Sequence, residues 1–93
     1  MKKKVILISG CSSGLGQDLS RYYQKIGHIV VGFGAKTKLK NKNNFFYKNV
    51  NLNSKSQINN FLSLVLKKYK KIDYFINNAG IAPAAFPALL NNY

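Results

Sequence analysis

Acidic residues are nearly absent from this 93-residue sequence, which sets only two of them, Asp18 and Asp73, against fifteen lysines and arginines. The resulting formal charge of +13 favours polyanions as partners. Most of this charge is lysine, accompanied by twelve asparagines, and the lysines look scattered over the predicted surface rather than gathered with aromatic residues on one face. We therefore interpret the charge as a general bias of the surface and expect no specific nucleic-acid partner.

Cysteine and long apolar runs are also scarce. The single cysteine, Cys11, excludes an internal disulfide and fits a reducing compartment, so a cytoplasmic location is expected. No stretch approaches the roughly 18 apolar residues of a membrane helix. The four apolar residues after the basic N-terminus are fewer than the roughly 7 to 15 of a signal peptide. Neither a membrane partner nor export is expected.

What the sequence does contain is typical of one small globular domain, with 46% hydrophobic and 13% aromatic residues in a chain that can bury a single modest core. Short runs rich in β-branched and aromatic residues predict four strands, at residues 4–9, 28–33, 45–50 and 72–76. The intervening residues 36–44 are polar and predict a loop or a frayed helical turn.

Two segments have the residue spacing of helices. The first begins at Gly14 and stops at Gly27, and its apolar residues share one side. These residues are Leu15, Leu19, Tyr22, Tyr23 and Ile26. The second begins with a capping box from Ser54 to Gln57, presents apolar residues between 58 and 69 as its core face, and gathers lysines at the negative end of its dipole.

The order strand, helix, strand, loop, strand, helix, strand predicts parallel pairing with right-handed crossovers. The expected fold class is α/β, a Rossmann-like three-layer parallel sheet that is incomplete, with about four strands and two main helices. No internal repeat or domain linker is visible, so residues 1–93 are expected to form one unit.

The most informative segment is the glycine-rich turn between the first strand and its helix. Gly10 permits a sharp turn, Gly14 lets a ligand approach the backbone, and Gly16 lets the helix pack close to the strand. Ser12 and Ser13 add hydroxyl donors, and the positive end of the helix dipole faces a bound anion. The turn alone leaves two readings open, a pyrophosphate cradle and an ordinary strand-to-helix turn, and it is not a Walker loop because no Gly-Lys-Ser or Gly-Lys-Thr follows.

A second motif stands at the end of the fourth predicted strand. The two motifs are Ser9-Gly10-x-x-x-Gly14-x-Gly16 and Asn77-Asn78-Ala79-Gly80. Both motifs, in this order, resemble those of the short-chain dehydrogenase/reductase superfamily. The resemblance covers nearly the whole chain but only the front part of a family member. It implies that residues 1–93 are the N-terminal part of a Rossmann-type NAD(P)-binding domain, without its C-terminal catalytic part.

The resemblance also implies a set of cofactor-binding residues. Those expected around the cofactor phosphates and ribose are Gly10, Ser12, Ser13, Gly14, Leu15 and Gly16. Those expected on the adenosine and nicotinamide ribose side are Asn78, Ala79 and Gly80. Asn51 and Leu52 stand where the family has Asp and an apolar residue against adenine, and Asn lacks the charge that strengthens such a bond. Ser9 replaces the more frequent Thr.

The end of the second strand bears on the choice of cofactor. NAD-selective folds of this kind place an acid there to bind the ribose hydroxyls, whereas this chain has Gly34, then Ala35 and Lys36. A 2′-phosphate would meet the charge of Lys36, with help from Lys38, so NADP(H) is favoured over NAD(H). A chain this poor in acids would lack the carboxylate in any case, which keeps NAD(H) open.

The chemistry of the family is attributed to a Tyr-x-x-x-Lys pair and an upstream Ser beyond the second motif. None of the six tyrosines here has a lysine four residues later, so no catalytic residue is assigned and this chain alone is expected to be inactive. By resemblance the parent transfers hydride between NADP(H) and a small carbonyl or alcohol substrate, and it forms a homo-oligomer. The alternatives are a non-catalytic dinucleotide-binding module and a basic nucleic-acid-binding protein.

Three single residues receive structural interpretations. Cys11 lies near a helix N-terminus, where a thiol could become reactive, but without a partner Cys or His pattern we interpret it as a small turn residue. His28 has no sequence neighbour suited to metal binding or catalysis. Asp73 is expected to cap or bond locally, and no metal site is expected.

Overall fold

Strands and helices alternate along the chain in a computed structural model that describes residues 3–11, 14–34 and 39–78. The strands are β1 (Val5–Ser9), β2 (Ile29–Gly34), β3 (Phe45–Asn49) and β4 (Tyr74–Asn77). The helices are α1 (Gly14–Lys25) and α2 (Lys55–Tyr69). Within these residues, neither helix combines the length and apolarity needed to cross a membrane.

All strand pairs are parallel, and the strands lie in the order β3-β2-β1-β4. This arrangement confirms the predicted incomplete Rossmann-like α/β fold. Because parallel strands end at the same edge, the turn after β1 and the residues after β4 are brought side by side, with Ser9 opposite Asn77 in the register. We call this side of the sheet the carboxyl edge.

The central strand β1 is buried along its whole length, as expected for a strand covered on both faces. On one face Leu7, Val31 and Phe33 pack against α2, where the rings of Phe33 and Phe61 lie 5.0 Å apart. On the other face Ile6, Ile8 and Val30 belong to a smaller cluster, against which Leu19 and Tyr23 of α1 pack. The predicted apolar face of the second helix is thus confirmed at residues 58, 61, 62 and 65, all buried.

The buried face of α1 differs from the predicted one. Leu15 and Tyr22 are exposed by 66% and 57%, and Ile26 by 37%. The residues fully buried in α1 are Gly16 and Ser20, flanked by the partly buried Leu19 and Tyr23. Small residues face the sheet because α1 lies close to the turn that leaves β1, and an apolar pattern cannot reveal a contact made by a glycine and a serine.

The capping box of α2 forms with one change of partner. Ser54 Oγ accepts from the Gln57 N–H, as expected, but Gln57 Oε1 accepts from the Asn51 N–H rather than from Ser54. The Ser54 N–H donates instead to the Asn51 carbonyl oxygen. At the other end Lys70 takes a left-handed conformation, with φ of 71°, and its N–H donates to the Leu66 carbonyl oxygen. The helix therefore stops without a glycine.

The connection between β2 and β3 was predicted as a loop or a frayed helical turn, and its described residues, 39–44, form no helix. Lys42 exchanges two backbone hydrogen bonds with Phe45, and Asn41 Oδ1 accepts from the Tyr47 N–H at 2.7 Å. Backbone groups on the outer side of β3 are thereby paired within the chain, which protects that edge from pairing with other strands. Residues 36–38 of the predicted loop lie outside the described part.

Asp73 bonds locally to Lys71, as expected, and also to a residue far away in the sequence. Its carboxylate accepts from the Val5 N–H at 2.7 Å, a contact between residues 68 positions apart, and lies 3.1 Å from Lys71 Nζ. Burial by itself would raise the pKa of Asp73, but the Val5 N–H and the charges of Lys71 and Lys4 outweigh it, so the pKa is lowered. The folded state therefore favours the ionised carboxylate, which joins the beginnings of β1 and β4.

Replacing Asp73 by asparagine is expected to lower the free energy of unfolding at pH 7 by about 1 kcal/mol, because the amide oxygen can still accept from the Val5 N–H but lacks the charge that strengthens the bond. Because the folded pKa is lowered, this contribution is complete above the ordinary pKa of an Asp and is lost as the pH falls through the folded value. Urea unfolding between pH 7 and pH 2 measures it: the difference between wild type and D73N should shrink below about pH 4. Asp18→Asn, at an exposed helical position, is the matched control, and an equal effect of both variants would contradict the assignment.

Candidate functional site

The candidate site begins at the carboxyl edge, where the chain leaves β1. Gly10 and Gly14 both have left-handed backbones, with φ of 66° and 58°. An L-residue in this region costs roughly 1–2 kcal/mol, so the two glycines hold the turn in a shape that other residues would resist. The sequence predicted a special turn at this place, and the backbone has one.

Gly14 faces open space. A Cβ built on it would meet no heavy atom within 4 Å, so the backbone at the start of α1 can be approached closely. The first turn of α1 carries no acidic residue that would oppose an anion there. Helix N-termini with exposed N–H groups are suited to phosphate, and the described residues therefore fit the pyrophosphate of a dinucleotide.

Gly16 is constrained by close packing rather than by its backbone angle. A Cβ at Gly16 would overlap the carbonyl oxygen of Gly10 and lie 2.5 Å from Asn78 Nδ2. Only glycine lets α1 begin so near the turn, which is the packing role predicted for this residue. The start of the helix is thereby fixed against β1 and against the residue that follows β4.

The two sequence motifs form one structure through side-chain hydrogen bonds. Asn78 Nδ2 donates to the Gly10 carbonyl oxygen at 3.0 Å, and Ser9 Oγ donates to Asn77 Oδ1 at 3.0 Å. These bonds join residues 68 positions apart. Ser9 and Asn77 belong to the two motifs, but neither was predicted as a site residue. The facing hydroxyl and amide at the ends of neighbouring parallel strands were the signal that could have paired them.

Gly34 ends β2 at the same edge, and Asn51 lies two residues beyond the end of β3. The Gly34 carbonyl oxygen accepts from the Val50 N–H at 2.9 Å, which places Asn51 just beyond the end of β2. The exposed Asn51 uses Oδ1 to accept from the Asn53 N–H at 2.9 Å, leaving this oxygen one further lone pair. Leu52 is partly buried against the core on the α2 side. The adenine contact of Asn51 and Leu52 stays a prediction.

Several predicted site residues lie outside the described residues. They are Ser12, Ser13, Lys36, Ala79 and Gly80. The structure thus brings together Gly10, Gly16 and Asn78 directly and places Gly14 and Leu15 at the open start of α1.

Cys11 is buried in the turn, and burial raises the pKa of its thiol to about 11, against lesser lowering by backbone hydrogen bonds. The thiol is therefore protonated at neutral pH, which agrees with a turn residue and not with a nucleophile. His28 Nδ1 accepts from the Lys4 N–H at 3.1 Å, so this residue joins the starts of β1 and β2. Among residues 3–11, 14–34 and 39–78, no three His, Cys, Asp or Glu side chains are grouped as metal ligands would be.

Comparison with known proteins gives one family. The family model for short chain dehydrogenase matches residues 4–92. NADP-dependent 3-hydroxy acid dehydrogenase YdfG of Escherichia coli O6:H1 is 26% identical over 90 residues, which are 90% of this chain and 36% of that protein. 3-Oxoacyl-[acyl-carrier-protein] reductase FabG of Rickettsia felis is 33% identical over 84 residues, 84% of this chain and 33% of that protein.

The fold of the chain is similar to that of solved structures. A short chain dehydrogenase from Leptospira borgpetersenii with bound NAD+ superposes with a TM-score of 0.75 at 23% identity, over 87% of this chain and 33% of that one. The chain spans about a third of the length of the curated relatives it matches, 36% and 33% in the two cases above.

Proposed function

Since the chain belongs to the short chain dehydrogenase family, we propose that it is the dinucleotide-binding portion of an oxidoreductase that transfers hydride between NADP(H) and a carbonyl or alcohol substrate. The observation that carries this proposal is the turn at Gly10 and Gly14, two left-handed glycines, of which Gly14 faces open space at the start of α1. The bonds from Ser9 and Asn78 hold that turn against the end of β4. Such a cradle binds the diphosphate through backbone N–H groups.

The preference for NADP(H) rests on the chain's own residues. Gly34 ends β2 without a carboxylate, and no acid occurs between Asp18 and Asp73 to bind the ribose hydroxyls from this region. Lys36 follows two residues later and would favour a 2′-phosphate. The names of the relatives do not decide between NADP(H) and NAD(H), because YdfG is NADP-dependent and the Leptospira structure contains NAD+.

The 93-residue chain is expected to bind NADPH and to oxidise none of it. It contains no Tyr with a Lys four residues later, the pair to which the family's proton transfer is attributed. Thermal unfolding tests binding: NADPH at about 100 times its Kd should stabilise by about 2.7 kcal/mol, raising Tm by roughly 10–20 °C. Absorbance at the NADPH band with a panel of carbonyl compounds tests turnover. Absence of a Tm shift would contradict the proposal that the chain binds NADPH. Steady NADPH oxidation would contradict the expectation that the chain is inactive.

Gly34→Asp is expected to weaken NADPH binding at least tenfold relative to NADH. A carboxylate at this position would repel the 2′-phosphate and accept from the ribose hydroxyls, and tenfold corresponds to about 1.4 kcal/mol. The position has room, because a Cβ at Gly34 would make only ordinary contact, at 3.5 Å, with the Tyr47 hydroxyl. Equilibrium titration of both cofactors gives the ratio of their Kd values.

The control for this change is Gly34→Asn, which has nearly the same shape without the charge. The asparagine variant should keep the wild-type ratio of NADPH to NADH affinity within about threefold, since only the charge distinguishes the two substitutions. If asparagine shifts the ratio as far as aspartate does, charge at the end of β2 is not what selects the cofactor.

A further inference from the structure

The lysines of the folded chain gather on the side of the sheet opposite the carboxyl edge. Because all four strands are parallel, they begin together at one edge, where both helices also end. The cationic residues at or beside these strand starts and helix ends are Lys3, Lys4, Lys25, Lys42, Lys67, Lys68, Lys70 and Lys71, eight of the twelve described. The other four are Arg21, Lys40, Lys48 and Lys55. We call the group of eight the lysine edge.

The expectation of scattered lysines is therefore wrong for the described residues. Of the two acids in the sequence, only Asp73 lies at the lysine edge, and it is already paired with Lys71. The helix dipole accounts for Lys25 and for Lys67 and Lys68 in the last turns. It does not account for Lys3, which precedes β1 by two residues, and the concentration of positive charge thus exceeds what the helices require.

An open cleft of about 530 Å³ lies at this edge, where β3 begins and α2 ends. Its lining consists of Asn41, Lys42, Asn43, Phe45, Phe46, Lys68 and Tyr69. Lys68 Nζ lies over both rings, 5.4 Å from the centroid of Phe46 and 5.7 Å from that of Tyr69. Phe46 and Tyr69 are each partly exposed. Aromatic faces, amide groups and ammonium groups thus surround one opening.

We propose that the lysine edge binds single-stranded nucleic acid, with phosphates on the lysines and a base in the cleft beside Phe46 and Tyr69. Cationic grooves with aromatic side chains are the recurring means of holding such strands without sequence preference. A membrane surface would use the charge but has no part to place in a cleft that combines aromatic rings with amides. The five residues of β1 separate this edge from the candidate dinucleotide site by roughly 17 Å, so both ligands can bind at once.

Fluorescence anisotropy of the 93-residue chain with a labelled 12-nucleotide oligouridylate tests the proposal. If four or five phosphates are neutralised, affinity should fall roughly 50-fold to 130-fold between 50 and 200 mM salt. Saturating NADPH should change this affinity less than about twofold, because the two sites lie at opposite edges. The result is thus independent of the dinucleotide proposal, which fails separately if NADPH gives no thermal shift. Competition by NADPH would overturn the placement at the lysine edge.

Two triple variants that lose the same amount of charge distinguish binding at the lysine edge from attraction by the net charge of the whole molecule. One carries K67Q, K68Q and K70Q at the lysine edge, and the other carries R21Q, K48Q and K55Q elsewhere. All six side chains are exposed, and circular dichroism with thermal unfolding checks that both variants fold. The first should bind the oligonucleotide at least tenfold more weakly, and the second should stay within threefold of wild type. Equal losses in both variants would overturn the proposal.

Two further probes test the role of a base with the wild-type chain. Inorganic polyphosphate of equal charge should bind at least fivefold more weakly than the oligonucleotide, because it cannot stack on Phe46 or Tyr69. Equal affinity would show that the cleft contributes nothing. Vesicles of phosphatidylserine and phosphatidylcholine provide the other comparison, and binding to vesicles without binding to oligouridylate would replace nucleic acid by a membrane surface.

Discussion

Replacing Gly16 by alanine is expected to lower the free energy of unfolding by about 3 kcal/mol and to abolish measurable NADPH binding. The added Cβ would overlap the carbonyl oxygen of Gly10 and lie 2.5 Å from Asn78 Nδ2. The nearest obstacle is backbone, which cannot rotate away, so α1 must move out from β1. That movement breaks the alignment of its first N–H groups with the Gly10 turn, and the phosphate cradle is lost with it.

Urea unfolding and NADPH titration measure the two effects of G16A. The matched control is Gly14→Ala, two residues earlier, where a Cβ would meet nothing within 4 Å but the φ of 58° is unfavourable for alanine. It should cost only about 1 kcal/mol of stability, from the backbone alone. If the free energy of unfolding of G16A lies within about 0.5 kcal/mol of the wild-type value, α1 packs less closely against Gly10 than the structure shows.

The fold class could be predicted from the sequence because the signals that mark its strands and helices are local. Runs of β-branched residues mark β1 and β2, and the capping box marks α2, because these signals are local and each depends on a few neighbouring residues. The parallel sheet then follows from the order of the elements. The family motifs placed the candidate site at the ends of β1 and β4, where the structure has Gly10 and Asn78 in contact.

What could not be predicted depends on contacts between distant residues. Asp73 was expected to bond locally, and Lys71 is such a partner, but its carboxylate also accepts from the Val5 N–H, 68 positions away. In the same way, Leu15 and Tyr22 completed an apolar pattern on α1, but the face that meets the sheet was decided by how closely Gly16 approaches Gly10. The Val5 contact of Asp73 and the buried face of α1 both depend on long-range geometry that no residue's sequence neighbours encode.

The gathering of the lysines was missed for a related reason. In the sequence Lys3, Lys42 and Lys70 are far apart, and only the parallel topology brings the starts of strands and the ends of helices to one edge. No local pattern of residues marks such an edge, because its charge is the sum of segments that meet only in the folded sheet.

The sheet contains a glycine, Gly32, that is required by a neighbouring side chain and not by a ligand. Gly32 lies inside β2, opposite Ile8 of β1 and Tyr47 of β3, where glycine normally weakens a strand. A Cβ at Gly32 would overlap Cys11 Sγ and lie 3.1 Å from Tyr47 Cδ1. The thiol of the turn after β1 therefore occupies the space above Gly32, and this contact fixes the cradle turn against β2.

Gly32→Ala is expected to lower the free energy of unfolding by about 2 to 3 kcal/mol, because the buried thiol has little space into which to move. Cys11→Ala removes the sulfur and leaves the Cys11 Cβ 3.6 Å from the new methyl group, an ordinary contact. The double variant should therefore recover about 2 kcal/mol relative to the sum of the single variants. Urea unfolding of the four proteins in this cycle measures the coupling.

The control for this cycle pairs Cys11→Ala with Gly27→Ala, since a Cβ at Gly27 would meet nothing within 4 Å. Those two changes should add within about 0.5 kcal/mol. NADPH affinity should follow the same pattern as stability: it should fall in G32A and return in the double variant. The reason is that the turn after β1, which contains Gly10, moves together with Cys11. Additive behaviour of Gly32→Ala and Cys11→Ala would mean that the thiol is not what requires glycine in β2, and that the turn is positioned by Gly10 and Asn78 alone.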